Sequence, residues 1–259
     1  MANFRKFKLP QLLRRSTETV NIPQFDLNKL VVKEIIGQGS FSNVFTAMFK
    51  APGSETVVVK EMINVLNQEG RKLFSKEVAI LHGLNHTNVV KFKAVCYKPQ
   101  AMMLESIYFD FKLFSQDIRV SALSDFLLEI DDANCEGFHD LVHHAAKEII
   151  QGLDYLHSNG IAHRDLKSAN ILVSNQHYSS LCAEDSEFEL MYQSRPVACK
   201  LTDSKTNNVD RGTVVYMAPE LLLKEMALST SSIDDLRLAD IWALGMAFFT
   251  MINPNLKSP

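Results

Sequence analysis

The strongest constraint on this chain's fold is a change of periodicity partway along it. Over residues 30–60, β-branched and other apolar residues alternate with polar ones through "LVVKEIIGQGS", "FSNVFTAMFK" and "ETVVVKEMI". Period-two patterning makes half-buried strands, and a glycine-bearing turn and "APGS" separate three of them. "EGRKLFSKEVAILHGL" then repeats apolar residues at helical spacing through Leu73, Phe74, Val78, Leu81 and Leu84. "VVKFKAVCY" and "AMMLESIYF" return to strand character. After Ser121 the chain turns helical. "FHDLVHHAAKEIIQGLDYLHSNG" places Phe138, Leu141, Val142, Ala145, Ile149, Leu153 and Leu156 on one face and stops at Asn159-Gly160. Short strands are predicted around residues 171–173 and 199–201. "DIWALGMAFFTMI", apolar nearly all round, predicts a buried helix. The stretches 109–137 and 174–198 read as solvated insertions to which no chemistry is assigned.

Composition removes some functions. A formal net charge of −3 over 259 residues lacks the basic excess of a general nucleic-acid binder. Cys96, Cys135, Cys182 and Cys199 show no CxxC pairing, which predicts a reducing, cytoplasmic setting. No apolar run approaches the ~18 residues of a membrane span. The opening "MANFRKFKLPQLLRRS" is basic but has no continuous apolar core, and reads as a tail rather than a secretory signal.

Four clusters carry chemistry. In "GQGSFSNV" (37–44), Gly37, Gln38 and Gly39 lie between two strands, where small residues let the backbone approach a phosphate closely. A strand follows, not a helix, so this is not a dinucleotide fingerprint. Lys60 ends the strand "TVVVK", and Glu77, one helix later, can pair with it. A pinned ammonium is what orienting nucleotide phosphates requires. "HRDLKSANIL" (163–172) gathers Asp165, able to accept or orient a hydroxyl proton, Lys167, able to neutralise a transferring phosphoryl group, and Asn170, whose amide oxygen can hold a divalent metal. Asp203 in "KLTDSK" adds a second metal-binding carboxylate. "GTVVYMAPE" (212–220) is the fourth cluster. His139 and His143, one helical turn apart, lack an evident third ligand and read as surface or packing residues.

These motifs, in this order, resemble the eukaryotic protein kinases from about Leu30 onward. The resemblance implies an α+β, two-lobed protein kinase-like fold. Its expected parts are an extension over 1–29, a β-rich N-lobe and hinge over 30–105, and a mainly helical C-lobe over 106–259, cut short after the sixth main helix of the family. It also implies ATP and Mg²⁺ as cofactors and a protein Ser/Thr hydroxyl as acceptor. On this resemblance Gly37, Gly39 and Val44 match the glycine-rich loop, Lys60 and Glu77 the ion pair, and Asp165, Lys167 and Asn170 the catalytic loop. Asp203 matches the metal-binding aspartate. Val44 and Val58 would roof the adenine, with Leu172 beneath it. Leu104 would be the gatekeeper and Glu105 the first hinge residue. Asp240 in "DIWALG" would anchor the catalytic loop. "HRDLKSANIL" is similar to the tyrosine-kinase-like group, whose members are mostly Ser/Thr enzymes.

The chain departs from the family at three places. Asp203-Ser204-Lys205 stands where Asp-Phe-Gly is expected, Ser42 replaces the third loop glycine, and the chain ends at Pro259 before further expected helices and the arginine partner of Glu220. Losing a buried Phe forfeits up to about 3 kcal/mol. Spent wholly on the active arrangement, that would lower its population about 100-fold. The alternative to an enzyme is therefore a pseudokinase, an ATP-binding or interaction module with weak catalysis or none. Ser204, Thr206 and Thr213 are candidate hydroxyls for a regulatory phosphate.

Overall fold

In a computed structural model the described residues are 21–38, 42–50, 54–63, 67–114, 117–132, 138–175, 198–202, 214–222 and 232–253. The chain divides into two compact units. One comprises Met1–Asn85, Lys91–Glu105 and Leu156–Ile161; the other comprises His86–Val90, Ser106–Tyr155 and Ala162–Pro259.

The first unit is built on an antiparallel sheet with strand order β1-β2-β3-β5-β4. Its strands are β1 (Leu30–Gln38), β2 (Ser42–Phe49), β3 (Thr56–Met62), β4 (Phe92–Tyr97) and β5 (Gln100–Glu105). Alternation sends Phe45, Ala47, Val57, Val59 and Met103 into a core on one face, joined by Leu30 and covered in part by Phe25 and Leu27. β1 is an edge strand, and beyond Leu30 its apolar side chains stay exposed, Ile35 at 70%. Helix α1 (Gln68–Gly83) starts where the Asn67 side chain accepts a hydrogen bond from Gly70 N at 2.8 Å. It packs on the opposite sheet face through Phe74 and Val78, against Phe92, Val95 and Met102. Two details differ from the helical stripe read in the sequence. Leu73 points outward and Ile80 is buried. A residue beside Phe74 is turned ~100° from it, so the stripe cannot take both. Leu84 is the residue that closes the helix.

The second unit carries α2 (Leu123–Asp132), most of α3 (Phe138–Ser158), the hairpins β6–β7 (Phe109–Asp110, Arg119–Val120) and β8–β9 (Ile171–Ser174, Ala198–Leu201), the single turn α4 (Pro219–Leu222), and α5 (Ile233–Ile252). The expected solvated insertion over 109–137 is overturned for its described residues, 109–114 and 117–132. Phe109, Phe111 and Phe126 are buried against one another with ring centroids 4.7–5.8 Å apart. Leu123, Phe126, Leu127 and Ile130 form the inward face of α2. That i, i+3, i+4, i+7 spacing is a helical signal, obscured by the acidic residues between its members. Asp110 and Asn175 exchange two hydrogen bonds of 2.9 Å, which fasten the β6 strand to the end of β8. Ser174, placed in the second supposed insertion, is instead the buried last residue of β8, whereas 176–197 lie outside the described residues.

α3 buries Ala145, Ile149, Leu153 and Leu156 as its periodicity requires. It stops in a Schellman arrangement: Gly160 N donates to His157 O, Ile161 N donates to Leu156 O, and Gly160 adopts φ 77°. α5 opens with a reciprocal capping box between Ser232 and Asp235. The expectation that α5 is buried holds for one stripe only. Ala239, Asp240, Ala243, Leu244, Ala247 and Met251 are buried, while Leu238, Ile241, Trp242, Phe249 and Ile252 are exposed. A helix apolar all round needs neighbours all round. Among the described residues, α5 has them on one side.

Candidate active site

In the first unit, strand register decides which side chains meet. Gly37 lies opposite Val44, Val44 opposite Lys60, Val58 opposite Leu104, and Lys60 opposite Met102. Directly opposed residues share a face, and so do residues two apart on one strand. Val44, Val58, Lys60 and Leu104 therefore stand together on the face that the Phe45–Val59 core does not use. Gly37 lies at its margin, and exposed Gln38 faces Asn43 at the end of the ladder. Met102, the cross-strand neighbour of Lys60, also packs with Phe74 and Val78 of α1. Glu77 sits between those two residues, half-buried like Lys60, on the helix that covers this face. The Glu105 carboxylate accepts from Lys91 N at 2.7 Å, while Glu105 N donates to Lys91 O at 3.0 Å. The Glu105 N–H is thereby committed to Lys91.

The second unit holds the loop between α3 and β8. His163 is buried, and its Nε2 donates to Thr202 O at 2.9 Å. That assignment leaves Nδ1 as the acceptor facing Asp165 N at 3.4 Å, the neutral tautomer. Asp165 is buried, with only 5% of its side chain exposed. Asn170 Nδ2 donates to Asp165 O at 2.7 Å and to Asp165 Oδ2 at 2.9 Å, and Lys167 Nζ lies 3.8 Å from the same Oδ2. Asn170 is carried by a 3-10 turn, Ser168–Asn170, which leads directly into β8 and half-buried Leu172.

Beneath the loop, Asp240 of α5 is 1% exposed. Its two carboxylate oxygens accept from His163 N and Arg164 N, each at 2.7 Å. This clamp explains how Arg164 tolerates φ 69°, a left-handed conformation costing roughly 1–2 kcal/mol. Two hydrogen bonds to a charged acceptor, at about 1.5–3 kcal/mol each, outweigh it. Burial pushes the Arg164 guanidinium below its ordinary pKa, with Asp240 opposing that shift. In Cys199, burial and then the nearby Glu148 carboxylate push the thiol well above the usual range, so this thiol is held in its unreactive form.

Each unit thus brings its own candidates together: Gly37, Val44, Val58, Lys60, Glu77 and Leu104 in the first, Asp165, Lys167 and Asn170 in the second. Gly39 and Asp203 lie outside the described residues, as do Ser204, Thr206 and Thr213. Thr202, just before Asp203, is held by its N–H to Asn170 O at 3.1 Å and by its carbonyl to His163. His143 is exposed, and among the described residues no group of three His, Cys, Asp or Glu could hold a metal ion. Sequence reading missed Thr202 and Tyr216. Their contacts join positions 39 and 48 residues apart, for which periodicity carries no signal.

Comparison with known proteins identifies the family. The family described as "Protein kinase domain" matches residues 30–258. Relatives include "Cyclin-dependent kinase C-2 C" of Arabidopsis thaliana, 28% identical over 86% of this chain and 31% of the relative. "Mitogen-activated protein kinase 13" of the same plant is 28% identical over 91% and 58%. "Mitogen-activated protein kinase 5" of Oryza sativa subsp. indica is 28% identical over 84% and 52%. The chain spans between about a third and three fifths of the length of these relatives. With both clusters in the family's order and the match covering nearly the whole described chain, this chain belongs to the protein kinase domain family.

Proposed function

We propose that the chain is an ATP-dependent protein kinase acting on Ser or Thr hydroxyls of proteins. The observation that carries this reading is the arrangement of Asp165, Lys167 and Asn170, a nearly buried carboxylate met by an ammonium and an amide. In the proposed division of labour, Gly37, Gln38 and Gly39 receive the phosphates, and Lys60, paired with Glu77, orients them. Val44, Val58, Leu104, Glu105 and Leu172 enclose the adenine. Asp165 orients the acceptor hydroxyl for in-line attack, and Lys167 stabilises charge on the transferring group.

The donor set suits Mg²⁺. Because Asn170 Nδ2 is committed to Asp165, its amide oxygen remains the ligating atom, and Asp203 would supply a carboxylate, the hard oxygen donors this ion prefers. Bound there, the ion would neutralise phosphate charge.

The lobe boundaries 1–29, 30–105 and 106–259 belong to the same proposal. So does the kinase group: residues 163–172 resemble the tyrosine-kinase-like group, whereas the relatives carry cyclin-dependent and mitogen-activated kinase names. No helix among the described residues is long and apolar enough to cross a membrane, and Cys96 and Cys199 are buried free thiols. A cytoplasmic setting is proposed on the cysteines. The rival reading, a pseudokinase, is favoured by Ser204-Lys205 in place of the expected Phe-Gly.

Transfer of labelled phosphate from ATP to a generic basic protein tests the proposal. Asp165→Asn keeps the shape of the site and is expected to cut transfer at least 100-fold. Equal incorporation by wild type and variant removes Asp165 from its assigned role. Nucleotide binding without transfer in wild type decides for the pseudokinase.

A further inference from the structure

From the geometry around Ser168 we infer that Tyr216 is a positioning residue for phosphoryl transfer, acting through Ser168 on the turn that carries Lys167 and Asn170. This deepens the kinase reading above and rests on it. Ser168 Oγ and Tyr216 Oη lie 3.1 Å apart, a hydrogen bond in which either hydroxyl can donate. Ser168 stands between Lys167 and Asn170 in the 3-10 turn, whose preceding residue, Lys167, gives it no side-chain cap. Two backbone bonds close the turn, Asn170 N to Lys167 O and Ile171 N to Ser168 O, and its side-chain ties run to residues outside it. On one side, Asn170 reaches back to Asp165. On the other, Tyr216 reaches in from the segment 214–217.

A second observation places Tyr216 in the same assembly. Tyr216 and Met217 line a cavity of about 30 Å³ with Arg164, Asp165, Leu166 and Asp240. The volume admits about one water molecule, so the segment is closely fitted against the loop and α5. The backbone of 214–217 is itself folded by Met217 N donating to Val214 O, and buried Ala218 follows. The Ser168–Tyr216 bond thus joins the loop holding the proposed catalytic groups to the "GTVVYMAPE" segment. Through it, the placement of Lys167 relative to Asp165 depends on the conformation of 214–217.

The test uses the full chain with Tyr216→Phe, Ser168→Ala, the double variant and Ser168→Thr. Each of the first two removes one half of a single hydrogen bond. Expected is a 3- to 10-fold fall in kcat for a basic protein substrate, with KM for ATP unchanged. The double variant should lose no more than either single variant, because both remove the same bond. Ser168→Thr, which keeps the hydroxyl, should stay within twofold of wild type. Wild-type kcat in both single variants, multiplicative losses in the double, or a parallel change in ATP KM overturns the inference. Amide exchange gives an independent readout. Tyr216→Phe should speed exchange at 166–172, and Ser168→Ala should speed it at 214–218, each several-fold. If wild type transfers no phosphate, the kinase reading fails and exchange alone decides: faster exchange in both segments upholds the tether, and unchanged exchange overturns it.

Discussion

At the scale of single residues, the two clusters differ in what their side chains do for the fold. Gly37 is needed for no internal reason. A methyl group there would sit 3.7 Å from Val44 Cβ, an ordinary contact. Gly37→Ala should fold with wild-type stability, or gain up to about 1 kcal/mol from a less flexible unfolded chain. It should weaken ATP binding several-fold by holding phosphate off the backbone. Thermal melting with and without nucleotide separates the two effects, and unchanged ATP affinity would remove Gly37 from the site. Asp240 is the opposite case. Asp240→Ala strands the buried His163 N–H and the part-buried Arg164 N–H and releases the strained Arg164 backbone, at an expected cost of about 3–5 kcal/mol. Chemical denaturation measures it; a loss under 1 kcal/mol would mean that something else holds the loop.

Secondary-structure elements show a balance of small and large terms. At Gly152, inside α3, alanine would favour the helix by about 1 kcal/mol. Its Cβ, however, would lie 2.6 Å from Asn88 O and 3.3 Å from Leu201 Cδ1. The carbonyl belongs to backbone and cannot step aside, so overpacking of about 1–3 kcal/mol prevails and Gly152→Ala should lower Tm. At the start of α5, Ser232→Ala should cost about 1 kcal/mol, some 2–4 °C in Tm. Asp235 adds a pH signature. Hydrogen bonds from Ser232 hold its carboxyl below the ordinary value of 3.8. A depressed folded-state pKa gives stability that is full above the unfolded value and lost as pH falls through the folded one. Asp235→Asn should therefore melt below wild type near neutrality, and the gap should close in acid below pH 3.8. A gap independent of pH would disprove the cap's ionic part.

The same scale explains what could be read before any coordinates. β2, β3, α1 and α3 announce themselves because each buries one regular stripe or face, and β1 by its alternation alone, since beyond Leu30 its apolar side chains stay exposed. The α2 pattern of Leu123, Phe126, Leu127 and Ile130 was equally regular but short, and its acidic neighbours gave it the look of a loop. The exposed side of α5 is hidden from the sequence for a different reason: composition reports how apolar a helix is, not which neighbours it meets. Of the candidate site, the residues within one motif were legible, because Asp165, Lys167 and Asn170 are five residues apart at most. Tyr216 and Thr202 were not, since only the folded path of the backbone brings them to the loop.

For the whole molecule, the decisive test is whether two clusters, one in each unit, serve a single nucleotide. The kinase reading requires that they do, and it assigns them separable duties. The face bearing Val44, Val58, Lys60 and Leu104 should set affinity, while Asp165 should set turnover. With Mg²⁺–ATP at a hundred times its Kd, the folded state gains about 2.7 kcal/mol. For a chain of this size that raises Tm by roughly 5–10 °C. Lys60→Met removes the ammonium without shortening the side chain much. If it weakens binding tenfold, it forfeits about 1.4 kcal/mol and half of that rise. Asp165→Asn should keep the whole rise and lose transfer. Were the two clusters unrelated, Lys60→Met would melt with the same nucleotide-dependent rise as wild type, whatever Asp165→Asn did to turnover. That single comparison, made on one protein preparation with both readouts, separates a shared nucleotide site from two clusters that merely keep family order.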